Sequence, residues 1–209
     1  MKLDAELRTR LVGKLLSCLE EAASGSKAML RGSLAGDRAD QYSDIDVLWE
    51  VPDSHFELCV GNLKGILSRI RPVESLRSVP EFQNSKKRRL IFVRFEGVPL
   101  FWRLDLEIFA QSINRDRQYD LHNPNARGSE WSLTESALMN AVAAIKAHLR
   151  SNDDEAGELL ARAYQRVGLD LPALELRELV LKLVDEVKVM DPGAGILAEG
   201  VKRLVLEAF

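Results

Sequence analysis

The chain has 209 residues, 46% hydrophobic and 29% charged, which excludes a disordered, collagen-like or low-complexity protein and leaves one large or two small globular domains. No uninterrupted apolar run approaches the roughly 20 residues of a bilayer span, and the opening Met1-Lys2-Leu3-Asp4-Ala5-Glu6 lacks a signal peptide's apolar core, so no membrane partner and a cytoplasmic localisation are expected. A net charge of -3 disfavours a nucleic-acid partner, and the 2 cysteines, Cys18 and Cys59, read as reduced core thiols within apolar helical patterns.

Behind Asp4, a suitable N-cap, Leu7, Leu11, Leu15, Cys18 and Leu19 recur at helical spacing, which predicts a helix up to Ala23 before Ser24-Gly25-Ser26. Ala28-Met29-Leu30 reads as a strand, Arg31-Gly32-Ser33 as a tight turn, and Leu34 to Ala39 as a short helical or turn segment. From Asp44 to Val51 polar and apolar residues alternate until Pro52, a strand whose acidic side chains share one face. Ser54 is the expected cap of a helix carrying Phe56, Val60, Leu63, Ile66, Leu67 and Ile70, ended by Pro72. A strand over Val73 to Val79, a polar and basic loop over 80–87, and a hairpin pairing Leu90 to Phe95 with Phe101 to Phe109 complete the first half.

Beyond about residue 112 the pattern turns helical. Ser132-Leu133-Thr134-Glu135 fits a capping box before the stripe Leu138, Val142, Ile145 and Leu149, and three more helices are expected near 153–167, 173–190 and 194–208. Four such helices make a small antiparallel bundle.

Chemistry concentrates in Gly32-Ser33, then Asp44-Ile45-Asp46, with Asp105 in the later strand-like Leu104-Asp105-Leu106. Residues two apart on a strand point to the same side, so Asp44 and Asp46 present adjacent carboxylates that an aspartate from a neighbouring strand can join. Such crowding wants a counter-ion. Mg²⁺ takes carboxylate and phosphate oxygens, and a shared aspartate can bridge two ions that hold a nucleoside triphosphate and an attacking hydroxyl in line. Gly32 permits close backbone approach, and Ser33 offers a hydroxyl to phosphate oxygens before a helix N-terminus. Asp-Ile-Asp alone commonly marks no more than a solvated strand face, and Gly32-Ser33 at this distance is what adds weight.

In these residues the chain resembles the nucleotidyltransferase superfamily that shares the polymerase β palm, whose signature is Gly-Ser or Gly-Gly, a spacer, then Asp-hydrophobic-Asp or Glu. The resemblance covers about residues 26 to 110, and the helical second half looks like the branch that adenylylates aminoglycosides or lincosamides. It implies an α/β (α+β) catalytic domain with a mixed sheet over residues 1–112 and an all-α substrate-binding bundle over 113–209. It implies transfer of a nucleoside monophosphate, AMP from ATP, to the hydroxyl of a small-molecule acceptor, with Asp44, Asp46 and Asp105 as catalytic ligands of two Mg²⁺ ions. Gly32, Ser33, Lys87 from the basic run Lys86-Lys87-Arg88-Arg89, and Lys146 in the second half are the expected nucleotide contacts. The general base is left open between Asp105, Glu107, on the same face as Asp105, and Glu74, on the preceding strand. A protein acceptor, as in antitoxin-type adenylyltransferases, a non-catalytic nucleotide-binding module and a homodimer are the other arrangements considered.

Overall fold

The computed structural model describes residues 3–36, 38–115 and 118–209, which divide into two compact units, Lys2–Trp131 and Ser132–Phe209. The first holds a five-stranded sheet of β1 (Lys27–Leu30), β2 (Ile45–Val51), β3 (Val73–Ser78), β4 (Arg88–Phe95) and β5 (Leu104–Ala110), ordered β1-β2-β5-β4-β3. β2 and β5 pair in parallel and the other neighbours antiparallel, so the sheet is mixed.

The period-two pattern decides which face is buried. Ile45, Val47, Trp49 and Val51 of β2 and Leu104, Leu106, Ile108 and Ala110 of β5 are all at most 1% exposed, while the residues between them line a more open face. Helices α1 (Ala5–Ala22), α2 (Phe56–Gly61) and α3 (Leu63–Ser68) pack against β1, β5 and β3 and bury Leu15, Leu19, Phe56, Leu63 and Leu67. Each such side chain contributes about 1.5–3 kcal/mol on leaving water. Asp4 caps α1 as its position predicts, accepting from the N–H groups of Glu6 at 3.0 Å and Leu7 at 3.2 Å. Both cysteines are buried free thiols.

Three sequence expectations need correction here. The helix expected after Ser54 is two short ones broken at Gly61-Asn62, poor helix formers, and it follows a 3-10 turn, Asp53–His55, in which Ser54 makes no cap. The strand expected from Leu90 begins two residues earlier, at Arg88, as β4; strand alternation sends Arg88 to the open face and Arg89 into the buried one. The contacts divide the chain after Trp131, not after residue 112. The intervening segment belongs to the sheet unit because the Asn84 N–H donates to the Ala126 carbonyl at 2.8 Å and the Gly128 N–H to the Pro80 carbonyl at 2.8 Å.

The second unit is all helical: α4 (Leu133–Leu149), α5 (Asp153–Arg166), α6 (Leu176–Met190) and α7 (Gly195–Ala208). Ser132 caps α4, its Oγ accepting from the Glu135 N–H at 3.0 Å. Small and apolar residues surround α4, which packs against the other three helices, and the Tyr164 hydroxyl of α5 donates to the Leu179 carbonyl of α6 at 2.8 Å. The chain is therefore α+β, a mixed sheet with helices followed by a helical region. Among the described residues no helix is long and apolar enough to cross a membrane.

Candidate active site

The parallel pairing of β2 with β5 sets Asp46 opposite Asp105 on the open face. Asp44 precedes β2 at the same parity, and β4 places Phe92 opposite Asp105 on its other side. β1 ends beside this group: the Arg31 N–H donates to the Asp46 carbonyl at 2.9 Å, and the chain then turns at Gly32, where φ is +58. A Cβ at Gly32 would overlap Asp46 Oδ2 and stand 3.0 Å from Asp46 Cγ. The turn accordingly requires glycine twice, for its left-handed backbone and for its closeness to the carboxylate.

Arg103, which sequence reasoning passed over, dominates the surroundings of Asp105. Its Nε donates to Oδ1 at 2.6 Å and its Nη2 to Oδ2 at 2.7 Å, a two-pronged ion pair in which both side chains are 19% exposed. The guanidinium also lies over the Phe92 ring, 4.1 Å from its centroid. Burial opposes the Arg103 charge, but Asp105, reinforced by the charges of Asp44 and Asp46, outweighs it and holds the guanidinium above its ordinary value. Burial raises the Asp105 carboxyl, with Asp44 and Asp46 adding to the rise and Arg103 pulling against it. The signal was the spacing Arg103-Leu104-Asp105, which on a strand puts a cation beside the carboxylate on one face.

Glu107, one pleat further along β5, is held by two arginines: Arg88 donates to Oε1 from Nη2 at 2.6 Å and from Nε at 3.1 Å, and Arg31 Nη1 donates to Oε2. Both of its oxygens are thus engaged by guanidinium groups. Glu74 sits on β3, two strands or roughly 10 Å from β5, paired with Arg94 at 2.8 Å.

Of the expected nucleotide contacts, Gly32 and Ser33 stand beside Asp46, but the segment after them is a single 3-10 turn, Gly32–Ala35, so no helix N-terminus stands behind Ser33. Lys87 is not brought to the carboxylates. Its carbonyl accepts from the Ala110 N–H, and Ala110 lies five residues along β5 from Asp105, about 17 Å away at strand rise, while the ammonium lies over the Tyr119 ring. Lys146 is buried on α4 of the second unit.

Asp44 and Asp46 offer the hard oxygen donors that suit a divalent cation such as Mg²⁺. Among the described residues, however, no three His, Cys, Asp or Glu side chains are gathered closely enough to hold a metal ion, consistent with Asp105 giving both oxygens to Arg103. The expected third ligand is thus present at the right register but engaged.

No family model and no curated protein matches the chain. Among solved structures it is similar to a chain of the GLD-2/RNP-8 complex, at 14% identity and a TM-score of 0.39, over 86% of this chain and 76% of that one.

Proposed function

We propose that the chain is a nucleotidyltransferase that moves a nucleoside monophosphate, AMP from ATP, to a hydroxyl of a small-molecule acceptor. The observation that carries this reading is the fit of Gly32 over Asp46 with Asp105 on the adjoining parallel strand. A left-handed glycine turn brings the backbone after β1 directly against the Asp46 carboxylate, an approach that any side chain at this position would block. The Gly-Ser and Asp-Ile-Asp elements that raised the idea in the sequence are thus adjacent in space.

In this reading Gly32 and Ser33 receive the phosphates, and Asp44 and Asp46 carry Mg²⁺. Bound there, Mg²⁺ supplies charge neutralisation for the phosphates and lowers the pKa of the acceptor hydroxyl. The acceptor oxygen bonds to the α-phosphorus as the bond to pyrophosphate breaks, and its proton is released into the open-face carboxylates. Arg31 and Arg88, fixed by Glu107, set positive charge beside this face and favour a polyanion there.

The test is pyrophosphate release from each of the four nucleoside triphosphates with Mg²⁺, across aminoglycosides, lincosamides and a metabolite extract, with Asp46→Asn as control. Acceptor-dependent release that the control lacks is the expected result and names the acceptor class. Bound ATP with no release from any small molecule moves the acceptor to a protein, and release unaffected by Asp46→Asn overturns the site.

A further inference from the structure

Arg103 has no part in the transfer just described, yet it is firmly held on the open face. Its fork is matched to Asp105 through two hydrogen bonds of 2.6 and 2.7 Å, and Phe92, opposite Asp105 on β4, supports the guanidinium from beneath at 4.1 Å. A bidentate pair stacked on a ring is pre-organised, and little conformational entropy is left for a competing ligand to recover. Glu107, the next carboxylate on β5, is already engaged by Arg31 and Arg88, so it offers Arg103 no alternative partner.

A second ion against Asp105 would have to displace a guanidinium from a half-buried carboxylate and leave that cation in a poorly solvated place.

Resting on the nucleotidyl-transfer reading, we propose that Arg103 is a resident cation standing where a second metal ion would bind Asp105, so that the site takes a single divalent ion, on Asp44 and Asp46. Asp105 then serves to position Arg103 and is not a metal ligand.

Mn²⁺ is the probe, because it takes the same oxygen donors and its free form is counted directly by electron paramagnetic resonance. Titration of the full chain without nucleotide is expected to give one tightly bound Mn²⁺, which Asp46→Asn abolishes. Arg103→Gln is expected to bind two, because Asp105 becomes available, and Arg103→Lys to return the count to one. Should Arg103→Gln not fold, Asp105→Asn decides: its Mn²⁺ affinity stays within about threefold of the parent's, whereas a loss of tenfold or more identifies Asp105 as a ligand and overturns the inference. Two ions in the parent chain, or one in a folded Arg103→Gln, also overturn it while the transfer reading stands. No site-dependent Mn²⁺ in any variant overturns both.

Discussion

Gly32 lies so close over Asp46 that a single added methyl group would occupy the space of the carboxylate oxygen. A chain with φ of +58 at this point and the preceding N–H bonded to the Asp46 carbonyl cannot back away without breaking the end of β1. Gly32→Ala is therefore expected to lower stability by about 1–3 kcal/mol, the range for a non-glycine residue forced into this region. It should lower nucleotide binding further than stability accounts for, because the methyl displaces Asp46. Urea unfolding and ATP binding measured on the same preparation separate the two, and an unchanged affinity would remove Gly32 from the site.

Asp46→Asn keeps the side chain's shape and removes its charge. The amide is a poor ligand for a hard cation, so transfer is expected to fall by on the order of 10²-fold or more, several kcal/mol of transition-state stabilisation. Because the change is isosteric, the fold should be kept, with a melting temperature close to the parent's. A variant that melts many degrees lower while keeping its turnover would show that Asp46 is structural.

The sheet was legible because alternation is strict where it matters: Asp44 to Val51 and Leu104 to Phe109 each display which residues face the core, and from that parity the adjacency of Asp46 and Asp105 follows once the strands pair. That they pair in parallel was not legible, since periodicity carries no information about neighbours. That β4 starts at Arg88 was not legible, because a run of four cations masks period two; Arg88 is accommodated by Glu107, and Arg89 is buried, its guanidinium N–H groups accepted by the Ser85 and Arg88 carbonyls. Arg103 was overlooked for a related reason. A cation two residues before an aspartate reads as surface charge until the strand is known to present both on the site's own face.

Glu107 is predicted to be an anchor. Glu107→Gln keeps hydrogen-bond acceptor capacity on one oxygen and should leave the pH dependence of transfer unchanged, since no base is lost. Glu107→Ala strands Arg88, whose side chain is only 17% exposed, and should cost somewhat less than the roughly 3–5 kcal/mol of breaking a fully buried pair. It should also raise the KM for the triphosphate more than it changes kcat, because Arg31 and Arg88 lose the group that fixes them. Loss of the acidic limb in the pH profile of Glu107→Gln would return Glu107 to the chemistry.

The end of β5 carries a pH-sensitive tie. Asp53, opening the 3-10 turn after β2, accepts from the Ser112 hydroxyl and from its N–H at 2.9 Å; the hydroxyl bond above all holds the Asp53 carboxyl below its ordinary value against the opposing effect of burial, with the Ser112 N–H and Lys87 adding to the fall. A folded-state pKa below the unfolded one means that the carboxylate form favours folding. The contribution is therefore complete above the unfolded pKa of an aspartate, near pH 4, and is lost as the pH falls through the lower folded value. Asp53→Asn should consequently lower the urea midpoint at pH 7 slightly, this being an exposed pair, and flatten its decline below pH 4. Equal declines in the parent and the variant between pH 5 and pH 2.5 would mean that the tie does not form in solution.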